Sequence, residues 1–324
     1  MVLEKAGLEA LGILRIAVFG IWAVQVVRTP LGRAADLPME LFDPPGPLAL
    51  LPTGFWDRLF QPTPLLVLEV GLTLIFLLAA LGARPFPLVG MASMAGMMLF
   101  DGIAKGWGAY VNHAQMAVLY AGVLIALSPA ADALSPFRRG ERDSGEEAGP
   151  RSPSGQTAQG AYRFPLVATA VVLAVTYALI GGHRVAVGGM EIFMGDALPT
   201  YLAIRTFEYS AHQFQLSTVL LGSGGFLLAL KAAFAVTTVF EILSPLALLY
   251  RRFRILWLLV IVPFHLATLV TMNIFFWENL ILLVLVFTDI PTRLGEAWRQ
   301  GIPFGECQVG CRGGGERRDV GLQP

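Results

Sequence analysis

The chain has 324 residues, 55% of them hydrophobic and only 14% charged, where soluble domains carry about a quarter charged residues. Lys plus Arg equals Asp plus Glu at 23 each, so no charge excess points to nucleic acid or to a strongly acidic partner. The apolar residues come in long uncharged blocks, which is the pattern of membrane spans.

In chain order the blocks cover 8–27, 65–81, 86–103, 114–131, 164–180, 226–250, 255–272 and 274–287. Several hold fewer than the roughly 20 residues that cross a bilayer at about 1.5 Å each, so their helices are expected to extend into the flanks. The first block contains Arg15 and is too long for the apolar core of a signal peptide, which predicts a retained helix. The fold class expected is an all-α polytopic membrane bundle, with about eight transmembrane helices in two halves and short interfacial helices outside.

The first half covers 1–131. Within it, 29–61 carries Pro30, Pro38, Pro44, Pro45, Pro47 and Pro52 among Leu, Phe and Trp, which forbids one long helix and predicts an outer cap of short pieces. A Ser-, Gly- and Pro-rich stretch of mixed charge, 132–163, reads as a disordered cytoplasmic linker. The second half, 164–291, contains an outer segment at 181–225 that opens on Gly181, Gly182, Gly188, Gly189 and Gly195, which predicts a helix end, and becomes amphipathic through Tyr201, Arg205, Glu208 and His212, which predicts an interfacial helix. A tail, 292–324, follows. With the N-terminus inside, fifteen basic residues fall in inner segments and six in outer ones, so both ends are expected in the cytoplasm of a cell with this chain in its inner membrane.

Ionisable residues inside spans mark pairings or interior sites. Counting depth at about 1.5 Å per residue matches Arg15 with Glu241 in the inner half and Glu69 with Lys231 near the outer face. Two structural ion pairs are expected, with outward snorkelling as the alternative for Lys231. The outer helix ends gather a larger polar set: Asp101 and Lys105 one turn apart, Asn112 and His113, Tyr177 with His183 and Arg184, then Asn273, Glu278 and Asn279. All four histidines, His113, His183, His212 and His265, lie in or beside this apolar region. His265 follows Pro263 near the middle of its span, where a packing role and a functional one are equally open. No HxxxH or HExxH pattern is present, so no metal is expected, and general acid/base work suits the histidines better. Cys307 and Cys311 sit in a Gly- and Arg-rich tail with neither redox nor zinc spacing and read as solvated thiols.

The segment from Tyr110 through Asn112-His113 to Ser128-Pro129 resembles the Asn-His motif of the vitamin K-dependent γ-carboxylase-like membrane domain, also called the horizontally transferred transmembrane (HTTM) domain. The first helix with Arg15, the run Tyr177-Ala-Leu-Ile-Gly-Gly-His-Arg-Val, and Phe264-His265 through Met272 and Ile274-Phe275-Phe276 resemble further segments of that family in the same order. Together they cover about residues 8 to 290. The resemblance implies a bacterial short form without the family's lumenal domain. It places Asn112 and His113 beside a quinone or hydroquinone cofactor, with Tyr177 and His265 among the ligand-binding residues. The family's basic lysine falls at Arg184, whose guanidinium stays protonated at any working pH and so serves to stabilise negative charge, leaving His113 or His183 to move the proton.

Two function classes follow. One is a quinone-linked or peptide-modifying membrane enzyme with catalytic His113, His183 and Arg184. The other is a non-catalytic membrane partner in maturation, export or immunity of a secreted peptide, and a polar set that merely joins helix ends is the third possibility. Membrane lipid surrounds the chain in each case, and nucleic acid is not an expected partner.

Overall fold

The computed structural model describes residues 8–107, 113–132, 134–136, 155–208, 221–272, 274 and 276–300. They form α-helices α1 (Leu8–Arg28), α2 (Thr53–Leu59), α3 (Pro62–Leu81), α4 (Phe86–Lys105), α5 (His113–Ala126), α6 (Gly155–Gly188), α7 (Glu191–Met194), α8 (Ala197–Glu208), α9 (Gly224–Ile242), α10 (Leu246–Leu249), α11 (Arg251–Met272), α12 (Trp277–Phe287) and α13 (Ile290–Gln300). No strand occurs among the described residues. Six helices are long and apolar enough to cross a membrane, those of α1, α3, α4, α9 and α11 and the 162–188 part of α6, and α5 and α12 add shorter apolar helices. The chain is an all-α, multi-pass membrane bundle.

Helix α1 is its axis. Leu11, Leu14, Val18, Phe19, Trp22 and Val26 are fully buried, and α3, α5, α6, α12 and α13 all pack against it. By contrast α3 exposes Leu66, Val67, Val70, Leu74 and Leu77 on one side, the face a membrane helix turns to lipid. Pro62 and Pro64 lie in the first turn of α3, where missing N–H groups cost nothing, and Gly82 closes it in the left-handed region at φ 74°.

The proline-rich 29–61 stretch forms the expected short pieces: 3₁₀ turns at Leu31–Asp36, Met39–Leu41 and Gly46–Leu50, followed by α2. The Asp43 amide donates to the Gly106 carbonyl (2.7 Å), tying this cap to the end of α4. Phe42 meets Trp56, Phe60 and Trp107 at ring-centroid distances of 4.7–5.0 Å, which makes an aromatic knot between cap and bundle.

Three boundaries differ from expectation. α6 starts at Gly155, inside the stretch read as a linker, and runs through Gly181 and Gly182 to Gly188. Those two glycines do not stop the helix; the turn comes at Gly189, with φ 53°. The 226–250 block breaks after Ile242, where Ser244 and Pro245 lead into the single turn of α10. The tail begins as a helix, α13, packed on the start of α1, where a Cβ on Gly295 would stand 2.2 Å from Glu9 Cβ. Cys307 and Cys311 lie outside the described residues.

Candidate functional site

Helices α6, α11 and α12 meet in the half of the bundle that contains the end of α1. At their junction Tyr177 and His265 are both buried, 3% and 4% exposed, and the Tyr177 hydroxyl is 2.6 Å from His265 Nε2. Apolar rings enclose the pair. Trp257 packs edge-on against the Tyr177 ring at 5.5 Å, and Phe276 packs edge-on against the imidazole at 5.3 Å. In so dry a setting a tyrosine–histidine hydrogen bond has little competition from water, and it supplies a proton donor and acceptor in line.

Helix α12 contributes the next polar groups from its first turn. Asn279 is buried close to the Tyr177 hydroxyl, and its Oδ1 has no hydrogen-bond partner. Its neighbour Glu278, 9% exposed, accepts a hydrogen bond from Gln25 Nε2 of α1 at 3.0 Å. Gln25 Oε1 is likewise buried and unpartnered. Two buried acceptor oxygens thus flank the Tyr177–His265 pair and Glu278, and such groups are costly unless something supplies a donor.

Beyond Tyr177 along α6, Arg184 donates to Glu241 of α9 and, at 2.9 Å, to the Thr238 hydroxyl. Its guanidinium also sits 4.5 Å from the centre of the Phe234 ring. Glu241 is 2% exposed and Arg184 is half-buried, so the carboxylate of the pair is the desolvated partner. The close crossing of α6 and α9 depends on Gly181, because a Cβ there would stand 2.9 Å from Glu241 Cβ and 3.0 Å from the Ile242 amide nitrogen.

This arrangement corrects two expectations. Arg15 does not pair with Glu241. Its guanidinium donates to the backbone carbonyls of Ala80 and Ala130 and, at 3.0 Å, of Leu134, gathering the ends of α3 and α5. The depth match failed because α1 and α9 lie in different parts of the bundle, and the free carbonyls at helix ends are the nearer acceptors for Arg15. Nor does Glu69 pair with Lys231. Glu69 Oε2 accepts from the Leu31 amide (3.0 Å) where the chain leaves α1, and Lys231 donates to the Met194 carbonyl (3.2 Å) in α7.

The remaining predicted residues separate. Asp101 and Lys105 form the expected one-turn pair at 3.1 Å. His183 is exposed on α6 beside Arg184, and no described contact joins it to Tyr177 or His265. His113 is described only as the first residue of α5, and Asn112, His212 and Asn273 lie outside the described residues. Gln25 and Thr238 escaped sequence reasoning. The signal for Gln25 was its position as the one amide side chain in the first span, whereas Thr238 gave none, since a threonine can satisfy itself on its own helix. Among the described residues no three His, Cys, Asp or Glu side chains are grouped to hold a metal ion.

Comparison with family models, with curated proteins and with solved structures finds no match.

Proposed function

We propose that this chain is an inner-membrane protein of the γ-carboxylase-like (HTTM) kind, with both ends in the cytoplasm, that binds a quinol-type ligand beside Tyr177 and His265 and exchanges a proton with it. The observation that carries the reading is the buried 2.6 Å Tyr177–His265 hydrogen bond next to the unpartnered Asn279 Oδ1. A ligand hydroxyl donating to Asn279 would satisfy that oxygen and stand close to the Tyr177 hydroxyl. When that O–H turns from Asn279 Oδ1 to the Tyr177 oxygen, Tyr177 passes its own proton to His265 Nε2 and receives the proton of the ligand, leaving the ligand as its oxyanion and His265 as the imidazolium. The basic residue is His265 in this reading, rather than His183 or His113, because His265 already holds the tyrosine in hydrogen-bond geometry.

Arg184 has a different role from the charge stabiliser first expected of it. Its positive charge is matched by Glu241, so the pair braces α6 against α9 and fixes the height of Tyr177 in the bundle. The order of motifs along the chain and the excess of basic residues in the inner segments support the family and orientation.

The test is ligand identification followed by binding. Mass spectrometry of the purified full chain is expected to find a quinone, and a reduced short-chain naphthoquinone is expected to bind the wild type and to bind Tyr177→Phe and His265→Gln at least tenfold more weakly, about 1.4 kcal/mol. Unchanged affinity in both variants would remove the pair from the site. A co-purifying secreted peptide or membrane protein in place of a quinone would move the chain to the class of maturation partners.

A further inference from the structure

A second polar site lies at the start of α11, about 16 Å along that helix from His265 at 1.5 Å per residue. Tyr250, the residue before α11, is extended (φ −115°, ψ 117°) and has no short side-chain oxygen with which to cap a helix. The first backbone bond into α11 comes from the Arg254 amide, which donates to the Tyr250 carbonyl at 3.0 Å. The amides of Arg251, Arg252 and Phe253 therefore have no acceptor among the described residues. A helix end in this condition attracts anions, through its free N–H groups and the positive end of its dipole.

Arg254 is the independent feature. It is 3% exposed, yet its guanidinium makes no hydrogen bond or ion pair among the described residues. By contrast Arg15 donates to backbone carbonyls and Arg184 to Glu241. A buried cation with five N–H donors is costly until something supplies acceptors. Side chains of a helix lean toward its N-terminus, so this guanidinium extends from the fourth position toward the open first turn. The charges that act on it are Asp289, just before α13, and Arg251, one turn earlier on α11. Asp289 lies beyond ion-pair distance. Around the same turn Tyr250, Ile255 and Leu259 are exposed, on a helix of membrane-spanning length and composition, so lipid is at hand.

We propose that the start of α11 binds a phosphate group, held by the Arg254 guanidinium on its buried side, by the amides of Arg251, Arg252 and Phe253 at the helix end, and by the exposed Arg251 side chain. A guanidinium fork matches two phosphate oxygens at once, and the free amides reach the others. The site stands apart from the Tyr177–His265 pair and does not rest on the quinol reading.

The full chain, stripped of lipid in detergent, is titrated with dioleoyl phosphatidic acid, with dioleoylglycerol, which lacks the phosphate, and with inorganic phosphate, while its melting temperature is followed. Phosphatidic acid is expected to raise the melting temperature of the wild type, and dioleoylglycerol to leave it unchanged. Arg254→Gln should weaken phosphatidic acid at least about tenfold, the scale of a charged hydrogen bond, and Arg251→Gln severalfold, whereas Arg252→Gln should change it little. Stabilisation by the lipid alone assigns the phosphate to a headgroup; stabilisation by inorganic phosphate that the same variants lose assigns it to the free ion. Ligand-free Arg254→Gln should melt no lower than the wild type, because no protein group loses a partner. The proposal is overturned by stabilisation from neither phosphate compound, by equal stabilisation from dioleoylglycerol, or by equal weakening in Arg254→Gln and Arg252→Gln. A ligand-free Arg254→Gln that melts lower and is rescued by Asp289→Asn would also overturn it, by assigning Arg254 to Asp289. Should Arg254→Gln not fold, Arg251→Gln decides, and unchanged affinity there would sink the site.

Discussion

Arg184 and Glu241 stand 57 positions apart in the chain and form an ion pair between α6 and α9, with Thr238 taking a second guanidinium N–H and Phe234 lying against the cation. The pair sits one turn of α6 beyond Gly181, where an added Cβ would stand 3.0 Å from the Ile242 amide nitrogen of α9. Charge and close packing therefore act together at this crossing, and Tyr177 is carried on the same helix two turns earlier.

Breaking the pair from one side should be far worse than removing it. Glu241→Gln or Arg184→Met alone leaves an unmatched polar or charged group in a dry site and is expected to cost about 3–5 kcal/mol. The double variant Arg184→Met with Glu241→Met should recover most of that loss. Thermal unfolding in detergent measures this, and a double variant as unstable as the worse single one would show that the pair does not act as a unit.

The two adjacent glycines of α6 should respond in opposite ways. Gly181→Leu drives a side chain into Glu241 and the Ile242 backbone and is expected to cost about 1–3 kcal/mol by overpacking. Gly182→Ala meets nothing within 4 Å and should be neutral or stabilise the helix by about 0.5–1 kcal/mol. Equal responses at the two sites would mean that the close crossing does not limit the packing there.

Arg15 should not be replaceable by lysine. Its planar guanidinium reaches three carbonyls on two segments at once, and a single ammonium cannot reproduce that fork. Arg15→Lys is expected to lose about 1.5–3 kcal/mol, the scale of a charged hydrogen bond, and Arg15→Met more. Glu241→Gln combined with Arg15→Met should show simple additivity in unfolding, because the two residues have separate partners. A marked coupling energy would revive a direct connection between them.

Tyr177→Phe is expected to destabilise the protein by about 1–3 kcal/mol, since it removes the hydroxyl that His265 Nε2 bonds in a buried site. Added quinol-type ligand should raise the melting temperature of the wild type and not of this variant. A ligand-induced rise of equal size in both would separate the pair's structural role from any role in binding.

Much of this was legible in the residues. Long apolar runs with few charges marked the spans, because lipid offers the backbone no hydrogen bonds and helices satisfy it internally. Prolines in 29–61 predicted a cap of short turns, since each proline removes a donor and restricts its neighbour. The acid-before-base order of Asp101 and Lys105 predicted their contact, because residues four apart share one face of a helix.

What the sequence could not determine was which helices touch. Depth along a span is a one-dimensional quantity, and it matched Arg15 with Glu241 and Glu69 with Lys231 without knowing which helices are neighbours. Gly181-Gly182 read as a helix end because glycine both ends helices and admits close neighbours, and only the approach of α9 decides between the two. The sequence by itself determined that this is a membrane bundle and singled out Tyr177, Arg184 and His265 as polar residues in or at the end of its spans. Only the tertiary structure decided that Arg184 answers Glu241 while Tyr177 answers His265, because those choices depend on which side chains helix packing brings within hydrogen-bond distance, away from water.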